Sequence, residues 1–158
     1  MTRHGYLTRL KATGATQAVL ASPGAVPLPV SAHWDVDVEV EMEDWNPETL
    51  LIASVEAYVM RSFFKELARR GIEIGEYQSV AEFELEQDDD GGLHLVELVI
   101  RPSVRILSAS DSGAIQEIFE TVPVRSFVCG LLKSLPKIQP EIASVVNSNR
   151  LQSNDLHP

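Results

Sequence analysis

The stretch from about Pro47 to Arg70 reads as one uninterrupted helix, and nothing else in the sequence restricts the fold as much. Asn46 is a good N-cap, because its side-chain oxygen can accept from a free amide of the first turn. Pro47 suits the first helical position, where an N–H would have no partner anyway, and Glu48 favours the positive end of the helix dipole. Lys65, Arg69 and Arg70 sit near the negative end, and Gly71 supplies the C-terminal stop. At 1.5 Å per residue the helix is roughly 36 Å long. Leu50, Leu51, Ile52, Val55, Tyr58, Val59, Phe63 and Leu67 cover more than one stripe of its surface. Such a helix must be buried on most sides, more than one thin domain can usually cover. A partner subunit is the economical explanation, so a homodimer is expected.

The remaining segments read as an α+β chain. Residues 5–11 and 15–21 form two short strands around a Thr13-Gly14 turn, and Ser22-Pro23-Gly24 ends the second. Pro27 and Pro29 confine the next stretch to an edge or an irregular path. Residues 35–42 alternate strictly, with Val36, Val38, Val40 and Met42 on one face and Asp35, Asp37, Glu39 and Glu41 on the other. A metal-binding carboxylate row is one reading; a solvated acidic face is the commoner outcome, and it could also dock a partner. Strands at 79–87 and 93–107 flank Asp88-Asp89-Asp90-Gly91-Gly92, which resembles half of a calcium loop. It lacks that motif's spaced ligands and terminal glutamate, so it reads as a hairpin turn. A second helix spans 110–121, capped by Ser110 or Asp111. Pro123 opens a third helical segment ending near Pro136, and residues 137–146 form a closing strand.

The pattern predicts a single domain over 1–146: N-terminal strands in 1–45, the central helix in 46–71, a hairpin in 77–107, helices in 110–135 and the closing strand in 137–146. A polar tail follows at 147–158.

At 158 residues and a net charge of -10 the chain has the size of one domain and the wrong sign for nucleic acid or anionic membranes. No apolar run approaches the roughly 20 residues needed to cross a bilayer. The first residues, Met1 to Tyr6, show no signal-peptide pattern, so the cytoplasm is the expected location. The single cysteine, Cys129, excludes an internal disulfide and a multi-thiolate metal site. His4, His33, His94 and His157 are scattered without metal-ligand spacing. There is no glycine-rich phosphate loop and no Gly-x-Ser-x-Gly elbow, so no cofactor is implied.

Two segments in this setting resemble the OsmC/Ohr family (osmotically inducible, organic hydroperoxide resistance). Asn46-Pro47-Glu48-Thr49-Leu50 is similar to the Asn-Pro-Glu-x-Leu opening of that family's central helix. Ile115 to Val124, with Thr121-Val122-Pro123-Val124 at its end, resembles the helix running into the family's Cys-Pro-Val/Ile-Ser turn. The likeness covers roughly residues 46–135. It implies antiparallel sheets wrapped around long central helices in an intertwined homodimer, with sites at the subunit interface. It also implies thiol peroxidase chemistry: a thiolate on the central helix attacks the O–O bond, and a second cysteine resolves the sulfenic acid.

The sequence departs from that pattern at each redox position. Tyr58 stands at the place of the peroxidatic cysteine, Val122 at that of the resolving cysteine, and Arg125 replaces the serine of the second turn. No arginine lies between Ser22 and Asn46, where the family usually carries its activating one. A phenol, ordinarily ionising near about pH 10, cannot run a sulfenic–disulfide cycle. Ordinary family activity is therefore expected to be absent. Cys129, seven residues beyond Val122, is the rescue candidate, although a buried small hydrophobe is the commoner fate of such a cysteine.

Glu56 interrupts an apolar helix. It reads either as a ligand or base beside the Tyr58 hydroxyl, or as a carboxylate paired with Arg61 or Arg125. The expected pocket is lined by Glu56, Tyr58, Val122 and Arg125 and takes a small, partly apolar or aromatic molecule. An enzyme using Cys129, or Glu56 with Tyr58, is the alternative, and a structural or partner-binding dimer is a third.

Overall fold

The structure, a computed structural model, describes residues 5–14, 17–31, 45–122, 132 and 135–144. The acidic strand expected at 35–42, the segment opened by Pro123 with Arg125 and Cys129, and the C-terminal tail lie outside the described residues. Contacts divide the chain into two compact units, Met1–Leu51 and Ile52–Pro158.

The first unit holds an antiparallel sheet of β1 (Arg9–Ala12), β2 (Gln17–Ala21) and β3 (Leu28–Ser31), in that order. β1 starts four residues later than its patterning suggested and runs one residue further. β3 contains Pro29 and pairs with β2 along one side, as a strand with a missing amide can. The Ser31 amide donates to the Trp45 carbonyl at 2.7 Å, leading the chain into α1 (Pro47–Arg70).

Both ends of α1 are closed by the residues expected to close them. The Asn46 Oδ1 accepts from the Thr49 amide at 2.7 Å, and the Asn46 amide donates to the Thr49 Oγ1 at 3.1 Å. This is a capping box with threonine in the place usually held by glutamate or glutamine. At the other end Gly71 adopts a φ of 68°, which a side chain would resist. Its amide donates to Ala68 and that of Ile72 to Leu67, at 3.3 and 3.0 Å, so the last carbonyls are satisfied.

The second unit is built on β4 (Ile74–Gln87) and β5 (Leu93–Ile106), a long antiparallel hairpin. β4 begins five residues before the expected Ser79. An irregular register between Ile74 and Glu76 breaks the two-residue period there and hides the strand from its pattern. The Asp88–Gly92 loop is a turn closed by backbone bonds, with Gly91 at a φ of 84°.

A 3-10 turn at Ala109–Asp111 leads into α2 (Ser112–Thr121). The expected side-chain cap is not made: Asp111 has helical φ and ψ of -86° and -9°, whereas a capping residue is normally extended so that its oxygen meets the free amides.

The closing segment is two short strands, β6 (Lys137–Ile138) and β7 (Glu141–Ser144), separated at Gln139 and Pro140. Both run parallel to β5, so this sheet is mixed where an antiparallel one was expected. α2 and the residues after it supply the long connection that parallel pairing needs.

The core of this unit is one stripe of α1, Val55, Val59, Phe63 and Leu67, set against Leu98, Ile100, Val104 and Ile106 of β5 and Ile115, Ile118, Phe119 and Val122. Four-residue spacing keeps those α1 positions on one face. The helix is not buried on most sides within one chain: Leu51, Met60 and Phe64 remain 52%, 38% and 41% exposed. No helix among the described residues is long and apolar enough to cross a membrane.

Candidate functional site

Tyr58 and Val122, remote in sequence, line the same cleft. Its volume is about 210 Å³, and Arg61, Ser62, Lys65, Glu66 and Thr121 complete the described lining. Tyr58, Arg61, Ser62 and Lys65 follow a helical period of three and four residues, so one face of α1, beside the buried stripe, forms a wall. Val122 is buried at the end of α2, its amide donating to the Ile118 carbonyl at 3.0 Å. The Thr121 hydroxyl next to it donates back to the Glu117 and Ile118 carbonyls.

The Arg61 guanidinium carbon lies 4.7 Å from the centroid of the Tyr58 ring. Such a contact on an exposed surface contributes about 0.5–1 kcal/mol. A guanidinium can rest against a ring in this way and still offer N–H donors at its edge. Glu66 is held by Arg69 at 2.8 Å. Behind the cleft, Arg70 bonds Glu117 at 2.7 Å and joins α1 to α2. Arg70 holds the Glu117 carboxyl below its ordinary pKa, through their hydrogen bond first and their charge attraction second.

Glu56 is elsewhere. Two residues correspond to about 200° around a helix, so it faces away from Tyr58. It accepts a hydrogen bond from the Ser79 hydroxyl of β4 at 2.5 Å. Its described partner is thus a serine and not Arg61, while Arg125 lies outside the described residues. The structure brings Tyr58 and Val122 together and leaves Glu56 out of their cleft.

Sequence reasoning missed Arg61 and Lys65 as cleft residues, although their i+3 and i+7 spacing from Tyr58 was available. It also missed Tyr77, whose buried hydroxyl has no hydrogen-bond partner among the described residues. Burial raises the Tyr77 pKa; the nearby Ser79 hydroxyl opposes that and the Glu56 carboxylate adds to it. The Tyr77 ring packs 5.5 Å from that of Phe63 and 5.6 Å from that of Phe64.

His94, at the hairpin tip, stands 3.3 Å from Glu86 and 3.4 Å from Asp88. Among the described residues no three His, Cys, Asp or Glu side chains gather as a metal site would require.

No family model and no curated protein matches the sequence. Solved structures do match the fold. An OsmC-like protein of unknown function from Vibrio cholerae superposes with a TM-score of 0.68 at 18% identity, covering 90% of this chain and 99% of the other. An OsmC-like protein from Mycoplasma pneumoniae gives 0.69 at 12% identity over 90% and 97% of the two chains. The organic hydroperoxide resistance protein OhrB of Bacillus subtilis gives 0.61 at 15% identity over 88% and 98%. At such identities the likeness is one of fold.

Proposed function

We propose that this chain, which has the OsmC/Ohr fold, is a homodimeric member of that stress-response family that binds a small, partly apolar ligand in place of thiol peroxidase chemistry. The observation that carries the reading is the shared cleft of Tyr58 and Val122, the positions at which the family resemblance puts the two cysteines. A cleft between those positions, with a phenol and an isopropyl group where two sulfurs would stand, keeps a binding geometry, and neither position offers a sulfur to form a sulfenic acid. The exposed Met60 and Phe64 on the same helix support a second copy as their cover, since large apolar side chains gain by leaving water.

The test has two arms. Isothermal titration against fatty acyl and aromatic compounds should give saturable heat that Tyr58→Ala and Val122→Trp each reduce. Cumene hydroperoxide with a dithiol reductant should show no turnover above background. Turnover abolished by Cys129→Ser would replace this reading with an enzymatic one. Light scattering in solution should give twice the chain mass, and a monomer at all concentrations would remove the dimer.

A further inference from the structure

Among the described residues of the second unit, two arginine or lysine side chains are left without a carboxylate, and both line the cleft. Arg69 holds Glu66, Arg70 holds Glu117 and Arg105 holds Glu76, at 2.8, 2.7 and 3.1 Å. Arg101 pairs with Glu82 and Lys137 with Glu97. Arg61 and Lys65 hold no carboxylate among the described residues, in a chain whose net charge is -10. They are one turn apart on the wall that also carries Tyr58. An unpaired surface cation costs little by itself. Two that converge on one concave surface of an acidic protein are harder to account for by solvation alone.

We infer that the ligand of this cleft carries an oxyanion, a carboxylate or a phosphate monoester, held between Arg61 and Lys65, with a short aryl or alkyl body against Tyr58 and Val122. The inference rests on the reading that the cleft takes a ligand. The contact with the Tyr58 ring keeps the Arg61 guanidinium at the cleft, where its planar fork can meet two oxygens at once, and Lys65 adds a point charge from the next turn. Ser62 contributes a hydroxyl to the same wall. Thr121 does not serve as a donor, since its hydroxyl hydrogen is engaged by the carbonyls of α2. Glu66 is the one carboxylate on the described lining, and Arg69 offsets its charge. The volume, about 210 Å³, is below the roughly 300–1,000 Å³ of pockets that take drug-sized molecules, so the ligand is small or inserts one end.

Titration of the full chain with 3-phenylpropionate, phenyl phosphate and the neutral 3-phenylpropanol tests this. The anions should bind at least about tenfold more tightly than the alcohol, and added salt should weaken the anions alone. The ratio of the two anion affinities tells which oxyanion the site prefers. The double variant Arg61→Gln with Lys65→Gln should lose about tenfold or more in anion affinity and leave the alcohol unchanged. Both side chains are exposed, so the fold should survive, which a thermal melt of the variant checks. Equal binding of alcohol and anions would overturn the oxyanion while keeping a ligand site. Failure of all three compounds to bind would remove the ligand reading and this inference with it.

Discussion

Phe63 and Phe119 lie face to face, their ring centroids 4.4 Å apart and their planes 10° from parallel. Both are almost wholly buried, so this contact fixes α2 against the middle of α1. Phe63→Ala should cost about 3–5 kcal/mol, the usual loss for a large buried aromatic. Urea unfolding would show it as a lower midpoint at an unchanged slope. A loss under about 1 kcal/mol would contradict the burial of this ring.

The Arg70–Glu117 pair gives the same helix contact a dependence on acid. The folded pKa of Glu117 is lowered, so its contribution is present above the unfolded value near 4.5 and fades as pH falls through the folded one. The pair is exposed to solvent, so the effect is small. Glu117→Gln should melt slightly below the wild type at pH 7 and level with it at acid pH. A gap that persists in acid would mean the glutamate acts by packing.

Tyr77 is half-buried, and its buried hydroxyl makes no well-formed hydrogen bond among the described residues, with the Ser79 hydroxyl only nearby. Tyr77→Phe should therefore leave stability unchanged or raise it by up to about 1–2 kcal/mol. The raised pKa of the phenol sets the sign at high pH: its contribution holds below about 10 and is lost as pH rises beyond it. The wild type should then weaken relative to the Phe variant in alkali, and an ultraviolet titration should find one tyrosine ionising late.

The ends of α1 offer a cleaner comparison. Asn46→Ala removes the oxygen that accepts from Thr49 and should cost about 1 kcal/mol. Gly71→Ala places a side chain at a φ of 68° and should cost about the same or somewhat more, although nothing lies within 4 Å of the new atom. If the alanine at 71 were harmless, the backbone there could not be left-handed.

Local features of this fold were legible in the sequence and non-local ones were not. Asn46, Pro47 and Gly71 mark α1 to the residue because capping is settled within one turn of helix. The start of β4 was hidden by its irregular register near Gly75, and the cap at Asp111 failed because the preceding 3-10 turn set its backbone. Whether β6 and β7 run with or against β5 depends on a connection across the whole unit, which no local pattern encodes. At the cleft, Tyr58 and Val122 came from a family resemblance, not from their chemistry. Glu56 looked like a neighbour of Tyr58 only because it is near in sequence, and the helix turns the two apart. Arg61 reads in sequence merely as a partner for that glutamate, and nothing around Tyr77 advertises a buried hydroxyl.

The central place of β5 dictates an order of assembly. Its hairpin with β4 can close as soon as both strands exist, whereas its other side waits for residues 137–144 at the far end of the unit. Until these arrive, the amides and carbonyls around Val99, Ile100 and Val104 form an unpaired edge, flanked by apolar side chains, of the kind that recruits other chains. A polypeptide cut short before Lys137 would keep the residues of its cleft-forming helices and leave that side of β5 open to pairing with another chain, so the last strand residues guard the sheet they complete.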